Sequence, residues 1–222
     1  MSDSDEGAPR SALWVGFGSA VLLVVLESLY ALALFLGLSA LEEPSEPIGD
    51  PYFSVMEILI LLIMPVMVSL AVSVQATCAA NRRHFALAAV VFVAISTAIT
   101  SSVHASVLFL SRDPAFAGLD HVFSFEWPSV VYVLDILAWD FFFAFFAICL
   151  ALSFERGGVE GWARRLLLLS GVLAFLGLWG AAIGDMAVRN IGIVGYVGVF
   201  TLGMCPLALR MWRRARPSRQ GS

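Results

Sequence analysis

The sequence contains few charged residues and no lysine. Only 14% of its 222 residues are charged, whereas 60% are hydrophobic, and the mean hydropathy is +0.90. Soluble domains carry about 25% charged residues, so this composition excludes an ordinary soluble protein. All 13 basic residues are arginines. The composition predicts an integral membrane protein in contact with a lipid bilayer.

The sequence also lacks the alternation of polar and apolar residues that is typical of transmembrane β-barrels. It contains instead six continuous apolar stretches, each long enough to cross a bilayer as a helix of about 20 residues. Their predicted bounds are 12–40, 54–79, 85–110, 129–153, 164–185 and 191–212. We expect an all-α bundle of six transmembrane helices, formed as a single domain over residues 1–222 with flexible tails at 1–10 and 213–222.

The arginines are distributed unevenly among the predicted loops. Most of them lie near the two termini, in the link between stretches 2 and 3, and in the link between stretches 4 and 5. The C-terminal segment alone holds five, whereas the other three links hold only Arg112 and Arg189. The positive-inside rule then predicts that both termini are cytoplasmic. We expect a bacterial cytoplasmic membrane, and a basic C-terminus that contacts anionic lipid rather than nucleic acid.

Several familiar catalytic motifs are missing. The three cysteines are too scattered for a CxxC pair and are predicted to be buried apolar thiols. No HExxH, paired ExxH or GxSxG motif occurs, so the usual helical metal sites and the serine-hydrolase signature are absent. We assign no cofactor and no metal from the sequence.

Ionisable residues inside the apolar stretches are few, and each costs about 2.5–3.5 kcal/mol to insert into a membrane. Three of them, Glu57, His104 and Asp135, lie on different predicted helices. At a rise of about 1.5 Å per residue, each lies ~10 Å below the outer surface. We therefore predict that they meet at one level of the bundle.

Other polar and aromatic residues extend this level. Thr100 and Ser101 precede the histidine by about one helical turn, and Tyr132 and Trp139 flank Asp135 at spacings of three and four residues. Such spacings place side chains on one face of a helix. We predict that these residues form the wall of a polar pocket that opens outward.

Four further ionisable residues lie above or below this level. Asp185 and Arg189 are one turn apart near the outer end, a spacing that favours a local ion pair, although Arg189 is also long enough to reach a carboxylate below it. Glu27 and Asp140 form a deeper tier near the midplane. Because Asp135 and Asp140 are separated by about 140° around an α-helix, they are predicted to face different partners.

Glycines recur in the last two apolar stretches. The glycines at 177, 180, 184, 192, 195 and 198 predict tight packing of these helices, with a homodimer face as the alternative.

In the second outer loop, an Asp113-Pro114 pair and apolar residues at three- and four-residue spacing predict a short interfacial helix within residues 111–128.

The pattern favours a carrier or sensor that binds a small cationic or amphipathic ligand. The predicted ligand-binding residues are Glu57, His104, Asp135, Tyr132, Trp139, Thr100, Ser101, Asp185 and Arg189. One alternative is an intramembrane enzyme that uses Glu57, His104 and Asp135 as metal ligands or as acid and base on a lipid-like substrate. Another is an accessory or structural subunit in which these residues only clamp helices together.

Overall fold

Six long apolar helices form the fold in a computed structural model that describes residues 9–43 and 46–216. The described residues contain no strand. The helices are α1 (Arg10–Ser39), α2 (Tyr52–Thr77), α3 (Arg83–Leu110), α4 (Val130–Leu152), α5 (Gly158–Ile183) and α6 (Met186–Ala215). All six are long and apolar enough to cross a bilayer, which confirms the predicted all-α bundle of a polytopic membrane protein.

Two helix starts differ from the predicted bounds. α5 begins at Gly158 instead of residue 164, and α6 begins at Met186 instead of residue 191. The charged residues in these segments lie within the first turns of a helix rather than in a loop. α6 also extends to Ala215, so residues 213–215 of the predicted tail are helical. The tail residues 1–8 and 217–222 lie outside the described part of the chain.

The helices close into a ring. Each helix packs against its neighbours in the chain, and α6 also packs along α1. The ring places one face of every helix toward a common interior, while large apolar residues such as Phe35, Phe109 and Trp179 remain exposed on the outside. Such an outer surface is suited to contact with lipid chains.

Arginines mark one end of the ring, which we call the inner end after the predicted orientation. Their side chains donate to backbone carbonyls at the ends of neighbouring helices: Arg10 to Ala215, Arg82 to Leu152 and Phe154, Arg164 to Phe154, and Arg214 to Thr77. The last carbonyls of a helix have no partner within the helix. These arginines therefore join the helix ends at the inner end.

The inner half of the ring is filled by large apolar side chains. Phe143, Phe146 and Phe200 are fully buried, and the ring centroids of Phe143 and Phe200 are 5.2 Å apart. Met67 and Met204 are also fully buried in the same cluster. The interior at this level is a dense apolar core, which positions the polar residues of the outer half.

Two helices contain π-helical segments: Leu137–Phe143 in α4 and Val194–Val199 in α6. In a π-helix each N–H bonds to the carbonyl five residues earlier, and such segments are frequent at functional sites. Side-chain hydroxyls donate to carbonyls in both segments, from Ser96 of α3 to Ala138 and from Thr201 to Val197. Both π segments lie near the middle of the ring.

The second outer loop is mostly irregular and contains two short helical parts. Asp113 accepts from the N–H of Ala115 at the start of a single 3₁₀ turn, Pro114–Phe116. A helix of four residues, Asp120–Phe123, follows. Phe123 and Phe125 then pack on a small apolar cluster formed by Val103, Val107 and Val131, so the loop folds over the outer end of the ring.

The cysteines only partly match their prediction. Cys78 is buried, Cys149 is partly buried and Cys205 is exposed. The prediction of a buried thiol is therefore wrong for Cys205, because its position on α6 faces away from the interior of the ring.

Candidate functional site

His104 joins two carboxylates at the level that the sequence predicts. Its Nδ1 lies 2.7 Å from Oε2 of Glu57, and its Nε2 lies 3.2 Å from Oδ1 of Asp135. All three residues are buried and come from α2, α3 and α4. Only an imidazolium donates from both ring nitrogens, so two carboxylate acceptors match the charged form of His104.

Arg189 of α6 faces both aspartates of α4. Its Nη2 donates to Oδ2 of Asp135 at 3.2 Å, and its Nε lies 3.3 Å from Oδ2 of Asp140. The guanidinium carbon also lies 5.2 Å from the ring centre of Tyr132. We call the five ionisable residues of this chain of contacts, Glu57, His104, Asp135, Arg189 and Asp140, the ion network.

The prediction that Asp135 and Asp140 face different partners is wrong. It assumed a regular α-helix, whereas the π segment Leu137–Phe143 begins between the two residues. Residues five apart approach the same face when the hydrogen-bond spacing is five residues. The irregular turn of α4 is therefore what brings both carboxylates to Arg189.

Asp140 lies in a niche between α5 and α6 that glycine makes possible. The residue is fully buried, and a Cβ added at Gly177 or Gly192 would collide with its Oδ1. Gly180 and Gly195 also lie against the facing helix, which confirms the tight packing predicted for these four positions. At Gly184 and Gly198 no atom lies within 4 Å of an added Cβ, so the packing prediction fails at these two positions.

Asp185 is a helix cap and not a partner of Arg189. Its Oδ1 accepts from the N–H groups of Ala187 and Val188 at the start of α6. The turn between α5 and α6 consists of Gly184, with φ 74°, and Asp185. Because α6 begins earlier than predicted, Arg189 lies inside the helix and its side chain points into the ring.

A cavity of about 220 Å³ lies beside the ion network, inside the ring. Six of the nine predicted site residues line it: Glu57, His104, Tyr132, Asp135, Trp139 and Arg189. Most of the remaining wall is aliphatic, including Met56, Ile60 and Ile63 of α2. The cavity is smaller than the roughly 300–1,000 Å³ of drug-sized sites, which limits it to a small molecule.

Thr100, Ser101 and Asp185 are not part of the cavity wall. Thr100 is fully buried and Ser101 is partly buried, both deeper than the histidine on α3. At that depth the cavity turns toward α1 and α6, where Glu27 and Val197 line it. The polar stripe of α3 therefore faces the cavity only at its outer end.

The sequence reasoning left Glu27, Tyr30 and Tyr196 out of the site. Glu27 and Tyr30 are three residues apart on α1 and both line the cavity, a spacing that places them on one helical face. Tyr196 lies on α6 seven residues after Arg189, and its ring centre is 5.0 Å from that of Trp139. The two spacings are the signals in the sequence that indicate these residues.

Loop residues line the outer part of the cavity. Pro47 and Ile48 come from the first outer loop, Phe53 from the first turn of α2, and Phe125 from the second outer loop. The Phe125 ring centre lies 5.4 Å from that of His104. This apolar rim separates the ion network from the outer surface.

A surface clasp joins the outer ends of α2 and α3 above this rim. Arg112 forms an ion pair with Asp50 at 2.5 Å and donates to the hydroxyl of Ser54. The hydrogen bond from the Ser54 hydroxyl and the nearby Arg112 guanidinium lower the pKa of Asp50 below its usual 3.8. Arg112 also lies over the ring of Phe53, so the clasp touches the rim directly.

The described residues contain no group of three or more His, Cys, Asp or Glu side chains arranged to hold a metal ion. His104 uses one ring nitrogen for each carboxylate, so the three side chains point at one another rather than at a shared point. The arrangement can neutralise buried charge and hold protons.

No family model, curated protein or solved structure matches the chain.

Proposed function

We propose that this membrane protein binds a small organic cation in the cavity of the outer half, as a carrier or a sensor. The ligand on this proposal carries one ammonium group on a compact apolar body. The supporting observations are the charge balance around the cavity, the chemistry of its wall and the position of its rim.

The charge balance is the observation that carries the proposal. Four buried carboxyl groups, from Glu27, Glu57, Asp135 and Asp140, belong to the cavity or the ion network. Among the described residues, Arg189 and His104 alone supply positive charge there. Even with His104 protonated, four carboxylates would exceed two cations by two charges, and an unpaired buried charge is costly. The site therefore attracts cations.

The wall of the cavity suits the apolar part of such a ligand. Tyr30, Tyr132, Trp139 and Tyr196 offer aromatic rings, and the faces of such rings attract cations. Ile60 belongs to the aliphatic side of the wall. An ammonium group next to an apolar body satisfies both kinds of surface, whereas a bare, strongly hydrated ion satisfies only the carboxylates.

On this proposal a ligand enters from the outer end, past the apolar rim. Pro47, Ile48 and Phe125 are loop residues that line the cavity, while the inner half is filled by the phenylalanine core. A ligand would thus enter past the loops and stop above this core. Uptake by proteoliposomes distinguishes a carrier, which moves the cation across the membrane, from a sensor, which only holds it.

A matched set of probes tests the proposal. Binding of benzylamine, benzyl alcohol and benzoate to the purified full chain is measured by calorimetry at neutral pH. We expect benzylamine to bind at least tenfold more tightly than benzyl alcohol, and benzoate not to bind. Equal affinity for benzylamine and benzoate, or no binding of benzylamine, would count against a cation site.

The structural-clamp alternative explains the ion network but not the cavity beside it. A clamp needs only paired side chains, yet Glu27 lines the cavity with no hydrogen-bond partner for its Oε1 among the described residues. Interhelical hydrogen bonds in membranes contribute only ~0.6 kcal/mol on average. An unpaired carboxyl group adds nothing to such a clamp and is better explained by ligand binding.

A further inference from the structure

Glu27 differs from the other carboxyl groups of the site because no side chain neutralises it. It is 3% exposed, and its Oε1 makes no hydrogen bond to any described residue. Glu57 and Asp135 face His104, and Asp140 faces Arg189. Glu27 is thus the one carboxyl group of this set whose polar end is left to the cavity.

The position of Glu27 determines which form it adopts in the absence of a cation. Charged side chains inside a membrane cost about 2.5–3.5 kcal/mol even on insertion scales, and a buried carboxylate without a partner loses its hydration without compensation. The neutral acid has no such cost. A cavity without a cation therefore holds Glu27 with its proton.

A cation in the cavity reverses this preference. A carboxylate beside an ammonium group forms a paired charge, which is tolerated in a low-dielectric interior when the geometry is close. The nearby rings of Trp139 and Tyr196, 5.0 Å apart between centres, and Tyr30 on the same face of α1 provide further attraction for the cation. The ammonium group and the proton therefore compete for one carboxyl group.

We infer that Glu27 is the anion that receives the ammonium group of the ligand and that each bound cation replaces one proton. The inference rests on the proposed function. In this exchange the O–H bond of the Glu27 carboxyl group breaks, its proton passes to water, and an ion pair forms between the carboxylate and the ammonium. The total charge of the site stays the same, because one positive charge leaves as one arrives.

On this inference the released proton comes from Glu27 and not from another group around the cavity. The other titratable or charged groups that line it are Tyr30 on α1, Glu57 on α2, His104 on α3, Tyr132 and Asp135 on α4, and Arg189 and Tyr196 on α6. Glu57 and Asp135 already have a cationic partner in His104 or Arg189. A cation gains least by displacing these partners and most by pairing with Glu27.

Calorimetry with benzylamine in two buffers tests the exchange. Phosphate and Tris differ in ionisation enthalpy, so the difference in binding heat at one neutral pH gives the number of protons released per benzylamine bound. We expect about one proton for the wild-type chain. Glu27→Gln should bind benzylamine at least tenfold more weakly and release no protons, while Glu27→Asp should retain proton release with weaker binding.

Two further variants test whether Glu27, rather than another acid or base, is the source of the proton. Glu126→Gln, an exposed acid of the second outer loop, should bind and release protons like the wild type. His104→Gln alters the ion network and is expected to weaken binding, but each benzylamine that binds should still release about one proton. Thermal unfolding of each variant shows whether it is folded, and Glu27→Asp provides the readout if Glu27→Gln does not fold.

The possible failures are distinguishable. If the wild type binds benzylamine without releasing a proton, or if Glu27→Gln releases protons as the wild type does, the exchange at Glu27 is wrong while the cation site stands. If His104→Gln alone abolishes proton release, the proton belongs to the ion network and the inference is also wrong. If the wild type binds no benzylamine, the proposed function fails and the exchange fails with it.

Discussion

At the inner end of the ring, arginines such as Arg82 and Arg214 donate to backbone carbonyls, whereas in the outer half Arg189 faces two carboxylates and an aromatic ring. The inner arginines lie near the surface and satisfy groups that helix ends always expose. Arg189 is buried and contacts two buried carboxylates of α4. The two kinds of arginine thus differ in their partners, which are backbone carbonyls at the inner end and buried carboxylates in the outer half.

The interiors of the two halves differ in the same way. Phe143, Phe146 and Phe200 fill the inner half without polar partners, while the outer half contains the ion network and a cavity of about 220 Å³. Close packing in the inner half holds the helices in place. The outer half can therefore tolerate an incompletely filled, charged interior.

The largest expected effect comes from removing the positive charge of Arg189. Arg189→Met leaves Asp140 buried without a cation and Asp135 with His104 as its remaining partner, and breaking a buried pair in this way costs about 3–5 kcal/mol. Thermal unfolding in detergent should show a large fall in Tm. Adding Asp140→Asn to the same chain should restore part of the loss, because the side chain that lost its cationic partner is then neutral.

Arg210 provides the matched control at the inner end. It is 5% exposed and pairs with Glu160 at 2.6 Å, but the Glu160 side chain is 23% exposed. After Arg210→Met, water can hydrate the remaining carboxylate, so a smaller fall in Tm is expected. Equal losses for the two variants would show that the two halves do not differ in how they bury charge.

A medium effect is expected where α5 and α6 enclose Asp140. Gly192→Ala places a methyl group against the carboxylate, and such overpacking typically costs about 1–3 kcal/mol. Gly198→Ala, six residues further along α6, has open space around the added carbon and should gain up to about 1 kcal/mol from better helix propensity. The measurement is the Tm of both variants, and a Gly192→Ala protein as stable as Gly198→Ala would contradict the niche.

The smallest expected effect concerns the surface clasp at the outer end. Because Ser54 and Arg112 lower the pKa of Asp50 in the folded protein, the clasp stabilises the fold above the unfolded pKa near 3.8. This stabilisation is lost as the pH falls through the lower folded pKa. The Tm difference between the wild type and Asp50→Asn should be measurable at about pH 6 and should become smaller as the pH is lowered below the unfolded pKa.

Glu126→Gln is the control for this pH series, since it removes an exposed acid of the second outer loop. Its Tm should follow that of the wild type at both pH values. A wild-type advantage over Asp50→Asn that persists or grows at low pH would mean that the ionised form of Asp50 is not the stabilising one.

The sequence predicted the helices and the depth of the central residues because both depend on simple regularities. A continuous apolar stretch predicts a spanning helix, and a constant rise per residue predicts that Glu57, His104 and Asp135 share one level. The structure brings these three side chains into contact. Depth along a regular helix is therefore accessible from residue numbers alone.

The direction in which a side chain points around the helix axis was harder to predict from the sequence. The π segment of α4 turns Asp140 toward Arg189, and no simple residue pattern indicates where such a segment begins. The helix α6 begins at Met186, five residues before its predicted start, so the sequence left open whether Arg189 points into the bundle. Glu27 was placed at the right depth, but its access to the cavity depends on the shape of the assembled ring.

The π segment of α4 also bears on how such a site arises and disappears during evolution. A π turn accommodates one more residue than an α-helix of the same length, so a single inserted codon is enough to create it, and a single deleted codon removes it. Deleting one residue between Asp135 and Phe143 would restore the regular helix and rotate everything beyond it by about 100°. A one-residue gap at this place in a homologue would thus mark a lineage in which Asp140 no longer shares Arg189 with Asp135.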